Sequence, residues 1–283
     1  MTYAQPDNPA AIERMRTAHR RACTALRVRP DAARRSQEVW GWQGRTYNRP
    51  VTASDGRAWL RLAASLTDRI NATFWNGSLA AARSLPPGVP RPRLRDVHDW
   101  TEGCWSYRAE LYDHEPVGPV AGTPTLTRAP DLPPGWWKDL ASALTDITAV
   151  STNRLSVHQP FLDRAMPRYL GTPITTTAPS CSTAHGDLHF ANLCAPTLRI
   201  LDWEGWGLAP TGYDAAVLHT HSLLVPPVAA RIRHELAHLL ATPAGRHAEL
   251  VVITQLLHTS KDPHLLAALR SRAAYLLGRP LLG

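Results

Sequence analysis

The chain changes texture once along its length, and that change limits the folds open to it. Trp40-Gly41-Trp42-Gln43-Gly44-Arg45, Val51-Thr52-Ala53 and Ala58-Trp59-Leu60-Arg61-Leu62 are short apolar and aromatic runs. Ser54-Asp55-Gly56 separates the last two, and Glu102-Gly103 separates Leu94–Trp100 from Trp105–Tyr112. Runs of this kind read as strands joined by tight turns. Beyond Trp136 the apolar period becomes helical, over 136–150, 213–224, 228–240, 246–258 and 263–277, interrupted by one strand candidate at Leu198–Leu201. Residues 9–27, opening on Asn8-Pro9, predict an amphipathic helix, and 71–85 a short one stopped by Pro86-Pro87-Gly88. Strands first and helices after argue an α+β chain with two lobes. The expected division is a helical extension (1–38), a β-rich lobe (39–117) and an α-rich lobe (118–283). The Pro-, Gly- and Thr-rich segment 118–134 reads as the crossing between the lobes.

The chain has 283 residues, 44% apolar and 19% charged, enough to build a real core. No stretch approaches the ~20 apolar residues of a membrane span, and Met1–Arg20 has no apolar run to serve as a signal peptide. Cys23, Cys104, Cys181 and Cys194 are scattered with no C-x-x-C pair, so a reducing cytoplasm is expected. The net charge of +8 raises the question of nucleic acid. Lys138 and Lys261 are the only lysines, and the arginines are spread without a basic block, which argues against a dedicated nucleic-acid role.

The chemistry-bearing segment is His185-Gly186-Asp187-Leu188-His189-Phe190-Ala191-Asn192, followed ten residues after the Asn by Asp202, in Ile200-Leu201-Asp202-Trp203-Glu204. Phosphoryl transfer needs a carboxylate to orient the acceptor hydroxyl and take its proton, which suits Asp187. It also needs hard oxygen ligands for Mg²⁺, which suits Asn192 and Asp202. A zinc site from His185, His189, His219 and His221 is the rival assignment. Gly186-Asp187 between the first two favours a loop, and zinc leaves Asn192 and Asp202 idle.

In these residues the chain resembles the aminoglycoside phosphotransferase family and the wider choline- and fructosamine-type small-molecule kinases. Those proteins carry H-G-D-x-x-x-x-N, then I-D-W/F-E, then a Gly-Pro turn and a D-L/A-A helix start. Here the last two are Gly207-Leu208-Ala209-Pro210 and Tyr213-Asp214-Ala215-Ala216. The resemblance implies a bilobal protein-kinase-like fold with a mostly antiparallel N-lobe, a helical C-lobe and ATP or GTP between them. It implies Asp187, with His185, as the catalytic pair, Asn192 and Asp202 on Mg²⁺, and transfer of the γ-phosphate to a hydroxyl of a small molecule. Arg61, Tyr112 and His114 are assigned to the nucleotide.

The family's third strand carries a phosphate-binding lysine paired with a helical glutamate. No lysine precedes Lys138, so Arg61 alone can stand there, and Asp68 is the only acid between 56 and 95. This leaves two alternatives: a pseudokinase that binds a ligand or partner peptide without turnover, and a peptide Ser/Thr kinase. Residues 205–283 hold seven histidines and seven Arg/Lys but four acids, Asp214, Glu235, Glu249 and Asp262. A polycationic acceptor calls for a carboxylate cluster, so a neutral or anionic one is expected.

Overall fold

Asn8 accepts a hydrogen bond from the Ala10 N–H (2.9 Å) and Pro9 supplies the first helical residue, so the first helix starts where these capping signals place it. In the computed structural model, which describes residues 5–31 and 38–279, this helix is α1 (Pro9–Ala25). It is followed by β1 (Arg29–Pro30), β2 (Val39–Trp40), β3 (Thr46–Ala53) and β4 (Gly56–Leu66). Next come α2 (Ala72–Trp75), α3 (Gly77–Ser84), β5 (Leu94–Glu102) and β6 (Trp105–Asp113). The strands form one antiparallel sheet in the order β1-β3-β4-β6-β5, with β2 on β3. Gly56 (φ 123°) and Gly103 (φ 58°) take the turn conformations that residues with a Cβ avoid.

The strand period of two gives this sheet two different faces. Leu60 and Leu62 of β4 and Ala109 and Leu111 of β6 are buried in one core with Met15, Ala18 and Ala22 of α1. The intervening residues Arg61, Arg108, Glu110 and Tyr112 form a polar face. There Arg108 grips the Asp99 carboxylate through Nε (2.8 Å) and Nη2 (2.7 Å) and donates to the Trp75 carbonyl at the end of α2 (2.6 Å).

The chain divides into two units: Met1–Ala82 with Pro92–Pro116, and Arg83–Arg91 with Val117–Gly283. The second is mainly helical. It comprises β7 (Gly118–Pro119), α4 (Pro134–Thr148), α5 (Gln159–Leu170), β8 (Cys181–Ala184), β9 (Cys194–Ala195) and β10 (Gly207–Pro210). It ends with α6 (Tyr213–Thr220), α7 (Pro226–Glu235), α8 (Ala237–Leu240), α9 (Pro243–Thr259) and α10 (Pro263–Leu276). A β-rich unit followed by a helical one is the α+β, bilobal order expected from the sequence. Every residue of α6 is buried. Glu249 of α9, with 0% of its side chain exposed, receives His219 Nδ1 of α6 (2.8 Å) and Arg272 Nε of α10 (2.6 Å), tying three helices together. Among the described residues, no helix is long and apolar enough to cross a membrane.

Two local expectations are corrected. Leu198–Leu201 is no strand: Ile200 makes a single antiparallel bridge to Leu193, and the apolar pattern records the burial of Leu198 and Ile200. Residues 118–134 are more than a crossing. Gly118 and Pro119 pair with Ala195 and Cys194, and the Val120 N–H donates to the Leu193 carbonyl (2.7 Å).

Candidate active site

Strand β8 runs antiparallel to β10, with Ala184 opposite Gly207 and Thr183 opposite Leu208. This ladder holds both ends of the segment 185–206 and so brings the His185 motif to the Asp202 motif. Gly186 lies at φ 89°, and a Cβ there would fall 2.7 Å from the Gly205 carbonyl, so both the conformation and the space require glycine.

His185 is fully buried and works as a brace. Its Nδ1 accepts the Asp187 N–H (3.2 Å), which leaves the proton on Nε2 to be donated to the Leu201 carbonyl (2.9 Å). The ring also sits edge-on to Trp203, with centroids 4.6 Å apart. Leu201 in turn donates its N–H to the Asn192 carbonyl (2.8 Å). His185, Asp187, Asn192 and the residue preceding Asp202 therefore share one hydrogen-bonded frame. Asp202 is exposed and takes a left-handed backbone (φ 62°), a conformation that Asp tolerates better than most residues and that recurs at functional sites.

Asn192 donates Nδ2 to the Asp187 carbonyl (2.9 Å) and lies 3.4 Å from its carboxylate. With the nitrogen committed to the loop, the amide oxygen is directed to the opposite side, where a hard oxygen donor suits Mg²⁺. Asp202 supplies a carboxylate from the adjoining segment, so the donor chemistry fits that ion. Zinc finds no such fit: among the described residues no group of three or more His, Cys, Asp or Glu side chains could hold a metal.

The Asp187 carboxylate is 52% exposed and lies 3.3 Å from Nε2 of the buried His189. Burial works against its ionisation, but is outweighed by the adjoining His189, which holds the carboxyl down to about 2. Asp187 is thus an ionised acceptor at neutral pH. His221 stacks edge-on to His189 (5.5 Å) and meets Thr125 Oγ1 at 3.2 Å. Burial, and then the neighbouring His189, lower His221 to about 3, so it stays neutral.

One supporting residue was visible in the sequence only as part of a helix-start motif. Asp214, at the head of α6, accepts the backbone N–H groups of His185 (2.7 Å) and Gly186 (3.0 Å). Burial raises its carboxyl, opposed by His185 and these two amides. The residues assigned to the nucleotide belong to the sheet-bearing unit. Arg61 faces Glu110 across β4 and β6, and Tyr112 donates its hydroxyl to Glu110. His114 follows the end of β6 and is half-buried. No acid stands on α2 or α3.

No family model matches the chain, and no curated protein matches it. Among solved structures, it is similar to a spectinomycin phosphotransferase in complex with ADP and spectinomycin, at 15% identity over 86% of this chain and 88% of that one (TM-score 0.46). It is similar to an ethanolamine kinase of Plasmodium vivax at 11% identity over 85% and 81% (TM-score 0.47). It is also similar to the PAN3 pseudokinase of Drosophila melanogaster at 13% identity over 89% and 66% (TM-score 0.37). At TM-scores below 0.5 these likenesses assign no activity, and the functional reading rests on the residues of the site.

Proposed function

We propose that the chain is a nucleotide- and Mg²⁺-dependent O-phosphotransferase that moves the γ-phosphate to a hydroxyl of a small, non-polycationic molecule. The observation that carries this reading is the frame around Asp187. An ionised, half-exposed carboxylate is held by a buried histidine, a buried asparagine and a buried aspartate on a glycine turn that no other residue fits. So many constraints on one exposed carboxylate suit a group that must be aimed.

In this reading Asp187 accepts the hydrogen bond of the acceptor hydroxyl and takes its proton as the oxygen–phosphorus bond forms and the bond to the bridging oxygen of the nucleoside diphosphate breaks. Its low affinity for the proton fits a late transfer, in which orientation counts for more than basicity. Asn192 and Asp202 would hold Mg²⁺, which when bound neutralises charge on the β- and γ-phosphates. His185 keeps the loop in register, and Arg61, Tyr112 and His114 serve the nucleotide.

Each of the four acids of 205–283 already has a structural partner, which supports a neutral or anionic acceptor. Asp214 holds the His185 turn, and Glu235 pairs with Arg231 (2.6 Å). Glu249 is enclosed by His219 and Arg272, and Asp262 caps α10 through the His264 N–H (2.9 Å). A pseudokinase is the second reading, favoured by an arginine where the family carries lysine. Titration with ATP or GTP and Mg²⁺ while following the thermal midpoint separates binding from none, since a ligand of the native state stabilises it. A phosphate-release screen over hydroxylated metabolites then separates turnover from binding alone. No turnover on any of them, despite tight nucleotide binding, favours the pseudokinase.

A further inference from the structure

Arg61 and Glu110 are direct cross-strand partners on β4 and β6. The Arg61 Nη1 lies 3.1 Å from Glu110 Oε2, with 12% and 1% of the two side chains exposed. Tyr112, two residues further along β6 and on the same face, donates its hydroxyl to that oxygen at 2.9 Å. The chain of contacts Tyr112, Glu110, Arg61 lies on two neighbouring strands of one sheet.

Building on the phosphotransferase reading above, we propose that Glu110 is the positioning residue for Arg61. Its carboxylate, fixed by Tyr112, would present the guanidinium to the phosphates of a nucleoside di- or triphosphate. Three physical arguments support this. A carboxylate with 1% of its side chain exposed has to be neutralised, and the Arg61 guanidinium at 3.1 Å is the cation that does so, so the two are bound to stay together. A guanidinium carries five N–H donors in a planar fork, the donor set that matches phosphate oxygens in bidentate fashion. Moreover, both members of the pair sit in adjacent strands with fixed register. The cation is oriented by the sheet, where the family's pairing depends on the placement of a separate helix.

The test is calorimetric titration of ADP with Mg²⁺ into the full chain, together with the unliganded thermal midpoint. Glu110→Gln keeps the shape and the Tyr112 contact but removes the charge, and it should weaken ADP about tenfold, the scale of one charge-assisted hydrogen bond. In an Arg61→Met background the same substitution should add nothing further, because Glu110 acts through Arg61. Single substitutions strand a buried charge and can unfold the sheet, so the decisive variant is the exchange Arg61→Glu with Glu110→Arg. It restores the ion pair with the cation one strand away. The midpoint should return to within a few degrees of the parent while ADP binding stays weakened by tenfold or more. ADP binding within twofold of the parent in the exchange, or additive effects of Arg61→Met and Glu110→Gln, would show that the pair serves the sheet alone and overturns the proposal. A parent chain that binds no nucleotide overturns the phosphotransferase reading itself, and this role with it.

Discussion

Asp214 and His185 are 29 residues apart in sequence, yet the Asp214 carboxylate receives the His185 backbone N–H at 2.7 Å and that of the next residue at 3.0 Å. The glycine turn before Asp187 is therefore tethered from below by the first turn of the most deeply buried helix. Asp214→Asn keeps the volume but replaces one acceptor oxygen with an amide NH2 that faces a backbone N–H donor. Stability should fall by about 1–3 kcal/mol, the cost of a buried unpaired polar group. Turnover should fall more than the thermal midpoint accounts for, because the aim of Asp187 is lost. Parallel measurement of kcat and unfolding checks this; unchanged kcat in a folded variant removes Asp214 from the positioning role.

Asp187→Ala removes the group proposed to orient the hydroxyl. Turnover should drop by ~10²–10⁴-fold, the usual share of general acid–base work, while nucleotide affinity changes little. Steady-state kinetics with a separate nucleotide titration decide it, and near-parental turnover rejects the assignment.

For the metal, Asp202→Asn withdraws the one charged ligand of the proposed pair. Nucleotide binding measured with Mg²⁺ should weaken, whereas binding measured in chelator should not move. Equal losses in both conditions would place the ion elsewhere.

Glu249 provides a pH dependence with a defined sign. Burial works against its ionised form, but the hydrogen bonds from His219 and Arg272 dominate and lower it from 4.5 to about 2. Because the folded value is the lower one, the stabilisation is fully present above pH 4.5 and is lost as pH falls toward 2. Its size is on the order of 2–4 kcal/mol from the width of that window. Glu249→Gln should lower stability at pH 7 and flatten the acid limb between pH 4.5 and 2, as denaturant melts across that range would report.

How much of this could be read from sequence depended on range. The His185–Asn192 spacing and Asp202 are local and chemically specific, so the segments that the structure joins in one hydrogen-bonded frame are legible in the sequence. The strands around Ser54-Asp55-Gly56 and Glu102-Gly103 were legible too, because their turns carry glycine. Helix α5 was missed: His158 gives no side-chain cap, and Pro160 and Pro167 disguise the period. Strands β8 and β10 are four residues each and acquire meaning only from pairing with each other. Nothing in the sequence states that residues 61 and 110 share a register, so Glu110 as the partner of Arg61 is not legible there. That fact belongs to the sheet.

Helix α1 gives this architecture a temporal constraint. Its apolar side, Met15, Ala18 and Ala22, is covered by residues of β4 and β6. During synthesis the helix leaves the ribosome before these strands, and its cover is incomplete until Trp105–Asp113 has emerged. Loop closure over that distance must come before the contacts that reward it. The N-terminal segment thus spends translation with an unburied apolar stripe, and slow elongation through residues 30–113 should favour its capture by chaperones.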